Sequence, residues 1–496
     1  MRVVVVGAGI LGSSAAYHLA MRGVDVEVID EVHQGKATLA GAGIVCPWAT
    51  KVTDPEWYAL YAAGARYYAD LVEDLTRRGE TDLGYGRVGA LVVSEDRNEL
   101  HAAEQRIQTR IADAPEAGQV RRVSAAEAKR LFPPLREDLD GIYIPGGSRV
   151  DGRLLAAAMT RAAIAAGAVL RNDHVSLELR DGRVRGIRSD GSSIEADEII
   201  VTAGAWASQL LRPLGLEHPV RPQRGQIVHL RLPGVETRSW PVLLPMTSHY
   251  MLAFDDSRVV IGATREDNTG FDYRVTASGQ AEVLNAGLAI APGLASGTII
   301  ETRIGFRPAG DGFKPILGRV AGLEGLIIGN GLGAAGLTIG PYAGHLLAQI
   351  CMGERPDTDT APYAPISASK LSFNIKGYPM PEIIRHRKHK IMHGAVEHNG
   401  VLYFGGHAAN DLSQGMADQT REVCAKLDKF LAELGSDKTK ILAARIYLSD
   451  MAQKEEMNKA WLEWIPEDDL PSRATIGVAS LGDPNRLIEV IITAAR

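Results

Sequence analysis

The chain begins with Arg2-Val3-Val4-Val5-Val6, which is followed by Gly7-Ala8-Gly9-Ile10-Leu11-Gly12 and by an alanine- and leucine-rich stretch with helical spacing. The β-branched run predicts a buried strand, and the spacing after the glycines predicts a helix. Gly7 permits the tight turn, Gly9 lets a pyrophosphate approach the backbone, and Gly12 lets the helix pack closely on the strand. This order of elements predicts a dinucleotide-binding βαβ unit.

A carboxylate stands where such a unit binds a ribose. The second strand pattern, Val24 to Ile29, ends in Asp30. A carboxylate at this place accepts hydrogen bonds from both hydroxyl groups of an adenosine ribose and disfavours a 2'-phosphate. The pattern by itself leaves FAD and NAD both open.

The composition indicates a multidomain enzyme that acts on small molecules. The chain has 496 residues, of which 45% are hydrophobic and 23% charged, and its net charge is -6. A chain of this length is too long for one hydrophobic core. The mild charge implies no general attraction to nucleic acid or to an anionic membrane.

Cysteine usage and hydropathy favour a cytoplasmic location. Cys46, Cys351 and Cys424 are far apart and odd in number, so we expect neither a disulfide framework nor a metal site. No secretory hydrophobic region precedes the first strand. No apolar run reaches the length of about 18 residues that a membrane-spanning helix needs, and peripheral contact with a membrane stays open.

Further motifs within residues 1–366 point to a flavin. They are Gly35-Lys36-Ala37-Thr38-Leu39-Ala40-Gly41-Ala42-Gly43, Ile199-Ile200-Val201-Thr202-Ala203-Gly204-Ala205-Trp206, Pro222-Gln223-Arg224-Gly225-Gln226, Gly305-Phe306-Arg307-Pro308 and Leu326-Ile327-Ile328-Gly329-Asn330-Gly331-Leu332-Gly333-Ala334-Ala335-Gly336. Together they resemble the glycine oxidase and D-amino-acid oxidase/dehydrogenase (DAO) superfamily of flavoproteins. The resemblance implies an α/β fold, with a Rossmann-like FAD-binding domain and a discontinuous substrate subdomain whose antiparallel sheet lies mainly at 217–303.

The resemblance also implies which residues hold a non-covalently bound FAD. Small side chains in the Gly35–Gly43 loop leave room for the cofactor, and the helix after the second glycine turn directs its positive end at the flavin. The implied cofactor-binding residues are Gly7, Gly9, Ile10, Leu11, Gly12, Asp30, Ala37, Thr38, Gly41, Ala42, Gly43, Ala203, Gly204, Trp206, Gly305, Arg307, Gly331, Gly333, Ala334, Gly336, Leu337 and Thr338.

Two residues match the substrate-binding positions of this superfamily. Arg307 matches the substrate arginine, whose planar guanidinium forms two parallel hydrogen bonds with a carboxylate and so orients the substrate Cα. Tyr250 resembles the pocket tyrosine, whose hydroxyl bonds the same carboxylate. His249 is expected to project to the opposite face, because side chains alternate along a strand.

Residues 385–496 form a second predicted domain, after a linker predicted at 367–384. Its motifs include Gly400-Val401-Leu402-Tyr403-Phe404-Gly405-Gly406-His407, Ala443-Ala444-Arg445-Ile446-Tyr447-Leu448, Pro471-Ser472-Arg473-Ala474-Thr475 and Ile488-Glu489-Val490. This part resembles the Rid family of enamine/imine deaminases. The resemblance implies an α+β, chorismate-mutase-like fold and a homotrimer or a multiple of it.

The resemblance to the Rid family implies two catalytic residues in the second domain. The arginine matching Arg473 holds the substrate carboxylate, and the glutamate matching Glu489 positions the water that attacks the C=N carbon. Met392 and Gly405 stand where the family commonly has a tyrosine and a serine. This departure leaves the activity of the domain open.

The two resemblances together imply one reaction sequence. The first domain is expected to oxidise an amino acid, with D configuration favoured, to a 2-imino acid, which the second hydrolyses to a 2-oxo acid and ammonia. The alternative is a secondary-amine oxidoreductase for sarcosine- or proline-like substrates, with a C-terminal domain that only trimerises or binds a ligand. Oxygen and a quinone-type acceptor both stay open as the destination of the electrons.

Overall fold

The computed structural model describes residues 1–310, 314–365, 384–398 and 400–496. The chain divides into two compact units, Met1–Phe373 and Asn374–Arg496. The predicted linker at 367–384 lies outside the described residues except for Ile384, which begins the first strand of the second unit.

A six-stranded sheet forms the centre of the first unit. Its strands, in spatial order, are Ile316–Arg319, Leu326–Asn330, Glu198–Val201, Arg2–Val6, Asp25–Ile29 and Val169–Arg171. Neighbouring strands are parallel, except for the antiparallel pair at the Ile316–Arg319 edge. Val3, Val4 and Val5 are fully buried, as expected for β-branched residues in a parallel sheet with both faces covered.

Three helices pack over the Val3 and Val5 side of this sheet: Ile10–Met21, Gly152–Ala165 and Gly336–Met352. The first and last of these helices approach closely, because a Cβ on Gly344 would lie 2.5 Å from the Cβ of Ser14. A fourth helix, Pro55–Arg77, packs against Gly336–Met352. The other side of the sheet is covered by a small antiparallel sheet, Val175–Arg180, Arg183–Arg188 and Ser193–Ile194, and by the helix Ala207–Leu211.

An eight-stranded sheet forms the second layer of the unit. Its strands, in spatial order, are Thr298–Ala309, Arg221–Arg231, Arg258–Gly262, Tyr250–Ala253, Val242–Pro245, Ala90–Val93, Gly141–Ile144 and Arg121–Val123. All pairs are antiparallel except the one between Val242–Pro245 and Ala90–Val93. The edge strand continues past Arg303 to Ala309 and therefore carries Arg307.

The remaining regular elements of the first unit are short connections or surface helices. They are the strands Ile44–Val45, Tyr85–Arg87 and Ser148–Val150, which form a small sheet, and the helices Ala37–Ala40, Arg97–Ile111, Ala125–Leu131 and Ala277–Ile290. The interleaving of the two large sheets along the chain agrees with the predicted architecture of a Rossmann-like domain with a discontinuous substrate subdomain.

The second unit is an α+β domain with its helices packed on one sheet. The strands, in spatial order, are Ile384–Lys388, His393–His398, Val401–Phe404, Ile488–Ala495, Ile441–Leu448 and Ser472–Gly477, with His407–Ala408 also paired to Ile488–Ala495. The helices are Met416–Glu433 and Lys454–Trp464. Alternating burial along Ile488–Ala495 directs Ile488, Val490 and Ile492 into the core that these helices share.

Candidate active site

A cavity of about 720 Å³ lies in the first unit, between the glycine turn and the eight-stranded sheet. At one end it contacts the turn at Gly7, Gly9 and Ile10, and at the other it contacts Tyr250 and Arg307. The volume lies in the range of small-molecule and cofactor sites. The cavity thus joins the predicted dinucleotide site to the predicted substrate site.

Two glycines of the turn at the start of the cavity, Gly7 and Gly12, have no room for a side chain. A Cβ on Gly7, which has φ +105°, would lie 2.7 Å from the carbonyl oxygen of Thr202. A Cβ on Gly12 would lie 1.8 Å from the carbonyl oxygen of Gly7. The helix begins at Ile10, and the backbone N–H of Ile10 donates to Thr38 Oγ1 at 2.9 Å. The bare backbone and the helix N-terminus fit a bound pyrophosphate.

Asp30 lies on the wall of the cavity at the end of the second strand. Its Oδ1 accepts a hydrogen bond from the backbone N–H of Ala8 at 2.9 Å, and its Oδ2 pairs with Lys36 Nζ at 2.5 Å. These two contacts hold the carboxylate in place. Because both side chains are still about one-fifth exposed, the carboxylate remains accessible from the cavity. This arrangement fits a ribose hydroxyl pair beside the turn.

Most of the predicted cofactor-binding residues line this cavity. They are Gly7, Gly9, Ile10, Leu11, Asp30, Ala37, Thr38, Gly41, Ala42, Gly43, Ala203, Gly204, Trp206, Gly305, Arg307, Gly333, Ala334, Gly336 and Leu337. Three others, Gly12, Gly331 and Thr338, do not line it. Gly12 serves the packing of the turn, and the Thr338 hydroxyl donates to the carbonyl oxygen of Ile44 at 2.7 Å.

Arg307 reaches across the eight-stranded sheet from its edge strand. Its Nη1 donates to the carbonyl oxygen of Thr264 at 3.0 Å. The guanidinium passes over Gly225, where a Cβ would lie 2.6 Å from Nη1. The phenol of Tyr250 similarly lies over Gly262, where a Cβ would lie 2.9 Å from the hydroxyl oxygen. Two glycines therefore make room for the two predicted substrate residues.

Burial keeps Tyr250 a neutral hydrogen-bond donor. It raises the pKa of Tyr250 above its ordinary value of 10.0, although the charges of Arg307 and Arg265 act in the opposite direction. Burial also lowers the pKa of Arg307 below its ordinary 12.5. A guanidinium beside a phenol O–H forms a donor set suited to a carboxylate.

The cavity wall also includes residues that the sequence did not single out. The sequence did not predict a role for Lys36, because this residue lies in a loop of small residues and belongs to no recognisable pattern of its own. His249 also borders the cavity, but its Nε2 lies 3.4 Å from Glu282 Oε1 on the helix Ala277–Ile290, which packs on the face of the sheet opposite Tyr250, the direction that the sequence predicted. Arg265 lines the wall beside them. Tyr61 does so as well, and burial raises its pKa to about 12.

In the second unit, Glu489 and Arg473 lie on different strands with Ile441–Leu448 between them. Glu489 stands opposite Tyr447, and Arg473 stands opposite Ala444. Two strand spacings amount to about 10 Å, and the two register positions are offset along the strands as well. One copy of the chain therefore does not bring these two side chains together.

Each of the two predicted catalytic side chains in the second unit has a definite neighbour. The carboxylate of Glu489 faces Gly406, where a Cβ would lie 1.9 Å from its Oε1. Arg473 is exposed, and its Nη2 donates to Asn458 Oδ1 at 2.7 Å. Met392 lies against Gly405, since a Cβ there would lie 2.5 Å from the Met392 methyl carbon. Met392 thus occupies the space beside Gly405, the position at which the resemblance to the Rid family implied a serine.

Three other findings bear on the class of protein. Cys46, Cys351 and Cys424 are buried and unpaired. Within the described part of the chain, no group of three or more His, Cys, Asp or Glu side chains is arranged to hold a metal ion. Among the helices described, none has both the length and the hydropathy to cross a membrane.

Known proteins resemble the first unit in sequence and in structure. A family model described as FAD dependent oxidoreductase (DAO) matches residues 2–350. The crystal structure of iminodiacetate oxidase from Chelativorans sp. BNC1 is 68% identical, with a TM-score of 0.73, covering 73% of this chain and 99% of that chain. Glycine oxidase from Pseudomonas aeruginosa is 31% identical over 370 residues, which are 73% of this chain and 98% of that protein.

The second unit matches a different family. A family model described as Endoribonuclease L-PSP, which corresponds to the Rid family, matches residues 389–496. A RutC family protein from Haemophilus ducreyi is 44% identical over 98 residues, which are 20% of this chain and 83% of that protein. These matches confirm both predicted families and FAD as the cofactor. The chain belongs to the FAD-dependent oxidoreductase (DAO) family and carries a C-terminal domain of the Rid family.

Proposed function

We propose that the first unit oxidises small secondary amines that are N-substituted glycines of the iminodiacetate type. The observation that carries this proposal is the Arg307–Tyr250 donor pair on the wall of the cavity that the glycine turn also lines. The 68% identity to an iminodiacetate oxidase favours a secondary amine within the amino-acid class of substrates. Secondary amines are the alternative substrate class that the sequence leaves open.

Arg307 and Tyr250 orient the substrate for this reaction. The guanidinium of Arg307 receives the carboxylate next to the reacting Cα, and the hydroxyl of Tyr250 donates to the same carboxylate. The substrate loses a hydride from Cα and a proton from nitrogen, which leaves a C=N bond. When bound, FAD supplies the two-electron acceptor for that hydride. The final acceptor is oxygen or a quinone-type molecule.

We assign hydrolysis of the imine to the second unit. Addition of water to the C=N carbon and cleavage of the C–N bond convert the imine of iminodiacetate into glyoxylate and glycine. Glu489 positions the water, and Arg473 holds the carboxylate. Because one copy keeps these residues apart, we expect a homotrimer or a multiple of it, in which different copies supply Arg473 and Glu489 to one cleft.

A second candidate is oxidative deamination of glycine or a D-amino acid to a 2-imino acid, followed by release of a 2-oxo acid and ammonia. The 31% identity to a glycine oxidase and the fused Rid domain favour it. The same carboxylate contacts would serve both substrates. Both candidates have amino acids as substrates.

Product analysis separates the two candidates. The holoprotein is incubated with iminodiacetate, sarcosine, glycine, D-alanine or L-alanine, and glyoxylate, pyruvate, glycine, methylamine and ammonia are quantified. The proposal predicts equal amounts of glyoxylate and glycine from iminodiacetate, without ammonia. Ammonia from a primary amino acid and no turnover of either secondary amine would replace the proposal with the second candidate.

A further inference from the structure

Arg265 is a positive charge on the cavity wall that forms no ion pair with a carboxylate of the described residues. It is exposed, and the described residues give it no ion pair and no side-chain hydrogen bond. The next carboxylate along the chain, Glu266, is instead bound by Arg224 at 2.6 Å and by Gln226 at 2.8 Å. A free guanidinium in a cavity binds an anion more readily than a paired one.

Strand geometry explains why Arg265 and Glu266 face different ways. Arg224 and Glu266 are paired in antiparallel fashion, with their backbone N–H and C=O groups joined at 3.0 Å in both directions. Thr264 lies on the same side as Glu266, since its hydroxyl donates to Glu266 Oε1 at 2.7 Å. Because side chains alternate along extended chain, Arg265 points to the other side.

That other side is the one on which Arg307 lies. One residue from the Arg224–Glu266 pair, Arg265 stands opposite Gly225, and opposite residues of an antiparallel pair share a face. The missing Cβ of Gly225 would point at the guanidinium of Arg307. Arg265 and Arg307 therefore stand on one face of the sheet, on either side of Gly225.

The carboxylates that line the cavity already have partners. They are Asp30, Glu31 and Asp173 on the dinucleotide side. Asp30 pairs with Lys36, Glu31 with His174, and Asp173 accepts from the Ser189 hydroxyl. The substrate end of the wall thus has two guanidinium groups and no carboxylate among the residues that line it; Glu266, whose charge acts on Arg307, does not line the cavity and is bound by Arg224.

From this arrangement we infer that Arg265 binds a second carboxylate of the substrate, while Arg307 binds the first. The site then selects dicarboxylic amines over monocarboxylic ones such as sarcosine and glycine. This inference rests on the proposed function of the cavity, and it names the residue that sets its specificity. Arg265 orients neither the reacting Cα nor the flavin, so it governs affinity for the distal group.

The test measures binding of two unreactive ethers to the FAD-loaded protein. Diglycolate has two carboxylates and methoxyacetate has one, and neither has the N–H needed to form an imine. Their dissociation constants are measured from the change in flavin absorbance for the parent, Arg265→Gln and Arg274→Gln. Arg274 is a matched control, because it is 83% exposed, pairs with Asp272 and does not line the cavity.

The parent is expected to bind diglycolate more tightly than methoxyacetate. Arg265→Gln should weaken diglycolate binding roughly 10- to 100-fold, because a hydrogen bond to a charged group is lost. The dissociation constant for methoxyacetate should stay unchanged. Arg274→Gln should change neither. The inference is overturned if the parent protein does not prefer diglycolate, or if Arg265→Gln loses the same affinity for both ligands. Failure of iminodiacetate to turn over would defeat the proposed function alone, since binding of the ethers requires no turnover.

Discussion

Gly225 leaves open the space that the guanidinium of Arg307 occupies, because a Cβ at this position would lie 2.6 Å from Nη1 and 2.7 Å from the central guanidinium carbon. The two residues belong to neighbouring strands, Arg221–Arg231 and Thr298–Ala309, in the register that pairs Gly225 with Gly305. The glycine thus fixes the path by which an edge-strand arginine reaches the substrate end of the cavity.

Gly225→Ala should displace Arg307 and weaken substrate binding while FAD stays bound. A misplacement of about 1 Å at a positioning group can cost up to about 100-fold in rate, so kcat/KM for iminodiacetate should fall at least about 10-fold. Steady-state kinetics and the flavin content of the purified variant check this. Gly86→Ala is the control, since its Cβ would meet its nearest neighbour at 3.4 Å, outside the cavity. Unchanged kinetics in Gly225→Ala would contradict the assigned path of Arg307.

Tyr250→Phe should remove one hydrogen bond to the substrate carboxylate without altering the fold. The phenol is neutral near pH 7, burial raises its pKa further above 10.0, and its loss as a donor to a charged group costs about 1.5–3 kcal/mol. We expect kcat/KM for iminodiacetate to fall roughly 10- to 100-fold, with the thermal midpoint nearly unchanged. A variant with parent-like kinetics would show that Tyr250 only packs against Gly262.

Glu489→Gln should separate the two half-reactions. Flavin reduction takes place in the first unit, so its rate should equal that of the parent. Release of glyoxylate should lag behind flavin reduction, because the variant no longer positions water for attack on the C=N carbon. Rapid-quench analysis of imine and glyoxylate measures the lag. The exposed Glu467→Gln is the control, and identical imine decay in parent and Glu489→Gln would exclude a hydrolytic role for Glu489.

Asp151 should make the first unit sensitive to acid. Burial alone would raise the pKa of Asp151, but hydrogen bonds from Arg153 and the charges of Arg153 and Arg258 hold it at about 2. A carboxyl whose pKa is lowered on folding stabilises the folded state at pH values above 3.8, its pKa in the unfolded chain. This stabilisation of about 2 kcal/mol is lost as the pH falls towards 2.

Asp151→Asn removes this contribution and its pH dependence. The free energy of unfolding of the variant should lie below that of the parent at pH 6 by about 2 kcal/mol, and the difference should shrink as pH falls from about 4 to 2. Denaturant unfolding followed by flavin release measures it, with the exposed Asp113→Asn as the control. A difference that stays constant over this pH interval would contradict the buried ion-pair account.

The sequence predicted the parts of the site that are formed by continuous stretches of the chain. The Gly7–Gly12 turn, Asp30 and the family motifs are continuous stretches, so their spacing alone placed them at the cavity. Arg265 could not be found this way, because its closeness to Arg307 depends on the register between strands far apart in the sequence. The alternation of side chains did predict the direction of His249, since its Nε2 lies 3.4 Å from Glu282 Oε1 on the helix Ala277–Ile290, which packs on the face of the sheet opposite Tyr250.

The second unit shows the same limit of sequence reasoning. The Rid motifs predicted its fold, but the register of three strands decides that Arg473 and Glu489 are apart in one copy. Motif spacing carries no information on that register. A shared site for the two residues consequently depends on how copies of the chain assemble, which sedimentation of the holoprotein would measure.

Anaerobic titration of the FAD-loaded protein with iminodiacetate tests the central claim most directly. The account predicts stoichiometric bleaching of the flavin absorbance by iminodiacetate, with one glyoxylate and one glycine formed for each flavin reduced. An oxidised flavin after addition of excess iminodiacetate and sarcosine, together with bleaching by a primary amino acid, would contradict the proposed oxidation of N-substituted glycines.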